Sequence, residues 1–399
     1  MENFDKKIRA YALKNALAHE GKAMTGPVIS SLFNEGLDRK DMGKYGKKIN
    51  EIIMEVNALS PEQQEKEFEK MKNEVSERES REGLPELPNA EKGVIMRFRP
   101  APSGPLHVGH LISNMLSSLY VKRYGGKFYI IIDDTDPKTC LPEAYTEIPK
   151  NCDYIFGNVY KYLNASDRIP LYYEYAEKLI KKDAAYICTC SSEQFKTFIE
   201  KEKDCPCRKL SVKENMERWK KMLDKKGYKE HEAVLRFKSD MKHKNPAMRD
   251  FPLARITEFP HPIQKNKYRV WPLMNLAVPV DDIELKMTHI IRGKDHMDNA
   301  KRQEMMYNVL GKKFPWTFFI GRIKFKDLIL SKRKLNAAIK EGKFSGEEDE
   351  RLPTIASLKK RGYKPEAFAK FIEQRGLTEV DKVIDSKEFF HIIDNFNKS

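Results

Sequence analysis

The chain has 399 residues, of which 40% are hydrophobic and 33% charged, and its 74 Lys and Arg against 59 Asp and Glu leave a formal charge of +15. That length supports two or three domains with separate cores. No run of eighteen apolar residues occurs, and the start, MENFDKKIRAY, alternates charged with apolar side chains, so neither a membrane span nor a signal-peptide core is read and the cytoplasm is the expected compartment. The cation excess makes a polyanion such as nucleic acid a natural partner, although a heavily solvated surface accounts for the same charge.

In chain order, residues 4–75 carry apolar side chains at three- and four-residue spacing (Ile8, Tyr11, Ala12, Ala16; then Ile49, Ile52, Ile53, Val56), which predicts a helical N-terminal domain over residues 1–75. Residues 76–92 are charged and punctuated by Pro and Gly, as a linker is. Val94 to Phe98 then read as a strand, RPAPSGPLHVGH as a sharp turn, and Leu111 to Tyr124 as a helix stopped by Gly125-Gly126, with a second strand at Phe128 to Ile132. This β-α-β unit is the building block of a Rossmann-like α/β sheet, whose ligands sit at the carboxyl ends of the strands. The first half of such a sheet domain is therefore assigned to residues 93–168. Over 169–270 periodicity weakens and lysines dominate, which suggests a separately packed insert. Strand-like segments return at Val278 to Val280 and Thr288 to Ile291, within the second half of the sheet domain at 271–325, and helical patterning fills a final segment, 326–399. No internal repeat is present.

Two short motifs carry chemistry. Pro102-Ser103-Gly104-Pro105-Leu106-His107-Val108-Gly109-His110 sets two histidines three apart at a helix start, where backbone N–H groups and the helix dipole attract phosphate and Gly109 allows close approach. Far downstream, Ile329-Leu330-Ser331-Lys332-Arg333 offers a hydroxyl and point charges that can follow the charge migrating on a triphosphate. Each alone is weak, since surface histidines and solvated lysine loops are common. Four cysteines, Cys188, Cys190, Cys205 and Cys207, form two close pairs that suit a tetrahedral structural zinc site, the alternative being four reduced thiols.

Taken together, HVGH and ILSKR resemble the two signatures of class I aminoacyl-tRNA synthetases, with Ile329 where the family usually has its outer lysine. RFRPAPSGPLHVGH followed by IIDDTDP, together with NPAMRDFPLARI, THIIRGKDHMD and SGEEDERLPTIASLKKRGYKPEAFAKFI, narrows the resemblance to the archaeal glutamyl-tRNA synthetases and spans nearly the whole chain. The resemblance implies a Rossmann-like catalytic domain with an inserted acceptor-binding region. It also implies ATP and magnesium as cosubstrates, L-glutamate as the amino acid, and tRNA(Glu) as acceptor with tRNA(Gln) left open.

By motif, His107, His110, Ser331 and Lys332 would be catalytic. Pro102, Ser103, Gly104, Gly109, Lys332 and Arg333 would hold ATP, while Arg97, Asp133 and Arg292 would hold the amino acid. Asp136, where glutaminyl enzymes usually show Asn, favours glutamate, whereas Met274 stands where many relatives have Tyr and cannot hydrogen-bond in its place. The family continues into anticodon-binding β-barrels that this sequence lacks, as either a natural short form or a fragment would; a glutamylating enzyme acting on an unusual tRNA, a glutaminyl enzyme and an idle tRNA-binding paralogue are the competing readings. A nucleotidylyltransferase acting on a small molecule is a weaker one. The N-terminal helices could dock a partner protein.

Overall fold

A computed structural model describes residues 2–19, 21–38, 41–75 and 83–398. The chain divides into two compact units, Met1–Arg81 and Glu82–Ser399. The first holds α1 (Glu2–Leu17), α2 (Thr25–Asn34), α3 (Met42–Asn57) and α4 (Pro61–Met71) around a core that includes Ile8, Leu13, Leu32, Ile49 and Val56. The helical spacing read from the sequence accounts for that core, and a Ser60–Gln63 capping box starts α4.

Of the expected linker, residues 76–82 lie outside the described residues, and residues 83–92 are not a free tether. Leu87 and Ala90 are buried in the core of the second unit, Tyr120 donates to the Pro85 carbonyl at 2.9 Å, and the Leu87 N–H donates to the Tyr124 hydroxyl at 3.0 Å. Two small apolar residues among charges give no periodicity, and so the sequence conceals this strap.

The second unit opens with β1 (Val94–Phe98), α5 (Val108–Tyr124), β2 (Gly126–Ile132), α6 (Ala144–Phe156) and β3 (Val159–Asn164), with β1, β2 and β3 parallel and in that order. Phe128 to Ile132 are all buried, as befits a strand covered on both faces. Gly126 has φ +124°, and a Cβ there would lie 2.0 Å from the Val94 carbonyl oxygen, so only glycine allows the turn from α5 into β2.

The chain then forms α7 (Ile169–Lys181), β4 (Ala185–Cys188), α8 (Ser192–Glu200), α9 (Val212–Leu223), β5 (Val234–Phe237), β6 (Pro252–Ile256) and β7 (Val270–Pro272). The four strands make an antiparallel sheet. Separate packing of this insert is not what the structure shows. Tyr129 and Ile131 of β2 share one core with Leu179, Trp219, Leu235 and Trp271.

From β7 the chain passes into α10 (Met274–Glu284), then β8 (His289–Gly293), α11 (Met297–Val309), β9 (Trp316–Ile320) and β10 (Ile323–Phe325). The strand expected at Val278 to Val280 is corrected to helix. Pro279, which cannot donate to a sheet ladder, sits inside α10. β8 pairs in parallel with β9, and the Thr288 N–H donates to the Ile95 carbonyl at 3.0 Å, so β8 is set beside β1.

The last elements are α12 (Lys332–Lys340), α13 (Ile355–Lys360), α14 (Pro365–Arg375), β11 (Lys382–Ile384) and α15 (Ser386–Lys398). The continuous helical patterning expected here is broken by β11, which pairs in parallel with β10. Residues 353–355 reach back to the start of α5. The Val108 N–H donates to the Pro353 carbonyl and the Ile355 N–H to the Leu106 carbonyl, both at 2.9 Å, and His107 and Thr354 form an antiparallel bridge. Among the described residues no helix is long and apolar enough to cross a membrane.

Candidate active site

Two cavities meet at the carboxyl ends of β1 and β8, sharing His110, Ser113, Gly293 and His296 as lining. One, of about 550 Å³, is walled by His107, Gly109, Leu330 and the basic residues Arg322, Lys324 and Arg375. The other, of about 360 Å³, is walled by Arg97, Arg99, Asp133, Met274, Arg292 and Lys332.

HVGH builds the junction. His107 is the N-cap of α5, and its Nδ1 accepts the Gly109 N–H at 3.2 Å, while the Nδ1 of His110 accepts the His107 N–H at 3.2 Å. A neutral imidazole that accepts at Nδ1 carries its proton on Nε2, so both rings are Nε2–H donors. They stay neutral at physiological pH. Burial and the charge of Lys332 push His107 down to about 4, and burial, His107 and Lys332 push His110 well below the ordinary range.

Gly109 has no room for a side chain. A Cβ would stand 3.1 Å from the His107 ring and 3.3 Å from Leu330. Pro102, Ser103 and Gly104 do not line either cavity; the Pro102 carbonyl accepts the Leu141 N–H, while the Asn336 amide, on α12 just after the second motif, donates to the Ser103 carbonyl at 2.8 Å and its side chain fills the space a Gly104 Cβ would need.

The second motif divides its residues. Leu330 walls the first cavity, and Lys332 reaches into the second, donating from Nζ to the Ala101 carbonyl at 2.7 Å. Burial pulls its ammonium down to about 8, opposed by the nearby carboxylate of Glu347. Ser331 and Arg333 are exposed and line neither cavity.

The charges of the smaller cavity are not equivalent. Arg97 is clasped by both oxygens of Asp282, one of them at 2.8 Å, and Arg99 by Asp281 and, at 3.2 Å, by Asp133. Asp281 is fully buried and also receives Arg168 and the Tyr172 hydroxyl. Arg292 instead donates to the amide oxygen of Gln303 at 2.8 Å. Burial, and then the charge of Arg97, lower it to about 10, with Asp282 and Asp295 opposing. Asp136 does not line the cavity and is paired with Arg255 at 3.1 Å.

Sequence reasoning missed Arg322, Lys324 and Arg375. The first two flank Ile323 on β10, and Arg375 donates to the Gly321 carbonyl at 2.6 Å. The alternation of GRIKF just before the ILSKR motif was the signal available.

Residues 93–395 match the family model for class I tRNA synthetases (E and Q), catalytic domain. The chain is 42% identical over 378 residues to a glutamate–tRNA ligase of Methanocaldococcus jannaschii, covering 94% of this chain and 68% of that protein. It is 43% identical over 396 residues to the glutamate–tRNA ligase of Thermococcus kodakarensis, covering 96% and 69%. A solved glutamate-tRNA synthetase from Elizabethkingia anophelis, 20% identical, superposes with a TM-score of 0.52 over 76% of this chain and 70% of that one, a likeness of fold. The chain belongs to the glutamate–tRNA ligase family of class I tRNA synthetases.

This synthetase carries one further constellation, in its insert. The four sulfurs of Cys188, Cys190, Cys205 and Cys207 all lie within 4.8 Å of one another, with Cys188–Cys205 and Cys190–Cys207 each at 3.9 Å. A tetrahedral ion with bonds of about 2.3 Å needs sulfurs roughly 3.8 Å apart, whereas a disulfide needs about 2.05 Å. Donors surround the cluster. Cys207 receives the Thr189 N–H at 3.4 Å and Arg218 at 3.5 Å, and Tyr186 joins Cys205 to Asp250.

Proposed function

We propose that this chain activates L-glutamate with ATP and transfers it to the 3′ end of tRNA(Glu) in the cytoplasm. The observation that carries the reading is the pair of adjoining cavities. One holds a part-buried guanidinium with no carboxylate bonded to it among the described residues, Arg292, alongside Asp133, and the other is ringed by cations.

Glutamate then fits in one orientation. Its side-chain carboxylate meets Arg292 through charge-assisted hydrogen bonds, which are about twice as strong as neutral ones. Asp133 takes the α-ammonium, and Arg97, held by Asp282, shapes the wall. The α-carboxylate is thereby turned toward the shared lining at His110, where the α-phosphorus of ATP is attacked in line. Little covalent assistance is required; positioning and charge stabilisation suffice. His110 offers a neutral Nε2–H donor to phosphate oxygens, and His107 does so when the bond of its ring to the Leu330 carbonyl opens, Arg322 and Lys324 supply charge to the triphosphate, and Lys332 neutralises the departing pyrophosphate. Magnesium neutralises phosphate charge when bound. Asp295, the one carboxylate lining the nucleotide cavity among the described residues, suits a metal that is held mostly by phosphates and water.

The four cysteines are read as a structural zinc site that fixes the insert against the tRNA acceptor arm. The insert's basic surface would neutralise acceptor phosphates. Whether tRNA(Gln) is also charged is read separately, by transfer of labelled glutamate to purified tRNA(Glu) and tRNA(Gln).

The test is ATP–pyrophosphate exchange with glutamate and with glutamine, with and without tRNA. Exchange that depends on glutamate supports the reading. An absence of glutamate-dependent exchange even with tRNA present refutes it.

A further inference from the structure

The cations of the amino-acid cavity are held in two different ways. Arg97 and Arg99 lie against the buried carboxylates Asp282, Asp281 and Asp133. Arg292 lies against an amide. Its Nη1 donates to Oε1 of Gln303, a side chain only 1% exposed. The Nε2 of Gln303 in turn donates to Oδ1 of Asn275 at 3.4 Å, and the Nδ2 of Asn275 donates to Oδ1 of Asn299 at 3.3 Å. The chain of amides therefore has a direction, in which each oxygen accepts from one side and each NH2 donates to the next. Reversing Gln303 would set its NH2 against the guanidinium and leave the Asn275 oxygen facing another oxygen.

We infer that Gln303, fixed by Asn275, is a specificity-determining positioning residue that holds Arg292 in the cavity without neutralising it, reserving that charge for the side-chain carboxylate of a dicarboxylic amino acid. The other charged groups near Arg292 do not take over this role. Asp282 is spent on Arg97, Arg97 itself repels, and Asp295 is half exposed, with its carboxylate 3.9 Å from His296. A carboxylate at position 303 would pair with Arg292 over the same distance. A ligand carboxylate would then meet a neutral pair, and a neutral amide ligand would lose much less.

The inference rests on the proposed glutamate activation, and one experiment separates the two. Wild type, Gln303→Glu and Asn275→Leu are assayed by tRNA-dependent pyrophosphate exchange, with KM and kcat for glutamate, glutamine and ATP and a thermal midpoint for each. For Gln303→Glu the KM for glutamate should rise about a hundredfold or more, as for loss of a buried charge partner. The glutamate-to-glutamine ratio of kcat/KM should fall at least roughly tenfold. The KM for ATP and the thermal midpoint should hardly move, which a merely structural role would not produce. Asn275→Leu leaves the charge free but releases the amide, so a glutamate KM raised by about three- to tenfold with the preference for glutamate kept is expected. This second variant also serves if the first does not fold. An unchanged glutamate KM and an unchanged ratio in the folded variants overturn the inference alone. Wild-type inactivity with glutamate overturns the catalytic reading and this inference with it.

Discussion

Lys332 carries its charge in a place that resists charge, and exchanging it for Met should therefore stabilise the protein while disabling it. Burial lowers its ammonium from 10.5 to about 8, with Glu347 pulling the other way. A folded-state value below the unfolded one means that the folded chain holds this proton less tightly, so stability rises with pH through that window. The penalty is present in full below pH 8 and fades between pH 8 and 10.5. At 1.36 kcal/mol per pH unit it amounts to roughly 3 kcal/mol. The hydrogen bond from Nζ to the Ala101 carbonyl returns about 1 kcal/mol of this. Lys332→Met, of similar reach and without charge, is thus expected to be about 2 kcal/mol more stable at pH 7 and little different near pH 10. Adenylate formation should fall by about 10²- to 10³-fold, the usual cost of losing one preorganised group at a transition-state charge. Urea unfolding at the two pH values and pyrophosphate exchange measure both halves. Equal or lower stability at pH 7, or a gain that persists undiminished at pH 10, would refute the reasoning.

Four other outcomes follow from the same geometry. Arg292→Ala should lower kcat/KM for glutamate by about 10²-fold or more, because a ligand carboxylate would be buried without its partner; a change under threefold removes Arg292 from the pocket's recognition. Asp282→Asn leaves Arg97 charged and poorly paired and should cost about 3–5 kcal/mol, read by chemical denaturation. His107 is driven down to about 4 in the folded chain, so its contribution is intact above pH 6.5 and drains away as pH falls from 6.5 toward 4. His107→Gln should flatten that part of the stability–pH curve. Cys205→Ser should abolish stoichiometric zinc in metal-replete protein measured by elemental analysis; wild-type protein with zinc near zero would refute the metal reading itself.

What the sequence disclosed, and what it hid, follows from the distance over which each feature is made. HVGH, with its glycine and two histidines at a helix start, is local chemistry, and the four cysteines announce themselves by spacing, so both were legible. Arg97 and Arg292 were legible as cavity residues, and both line it with His110. What they bond to was not. Asp282 and Gln303 come from α10 and α11, and no periodicity says which carboxylate or amide a buried guanidinium will meet. Lys324, and Arg322 just before the strand, left only the short alternation of GRIKF as a signal, because β10 exists only through its pairing with residues 382–384. The apolar run at Val278 to Val280 failed for a different reason. A short run buried all round reads the same in either period, and Pro279, which argues against a central strand, is no better suited to the interior of the helix it occupies.

The bridge between His107 and Thr354 also orders events in time. The loop that presents the two imidazoles gains its backbone partners from Pro353 and Ile355, which leave the ribosome long after it does. At about 5–20 residues per second the intervening roughly 250 residues take on the order of 12–50 s to make. For that interval a nascent chain displays HVGH without the peptide that fastens it, and competence to capture nucleotide arrives only after residue 355 has been made and released.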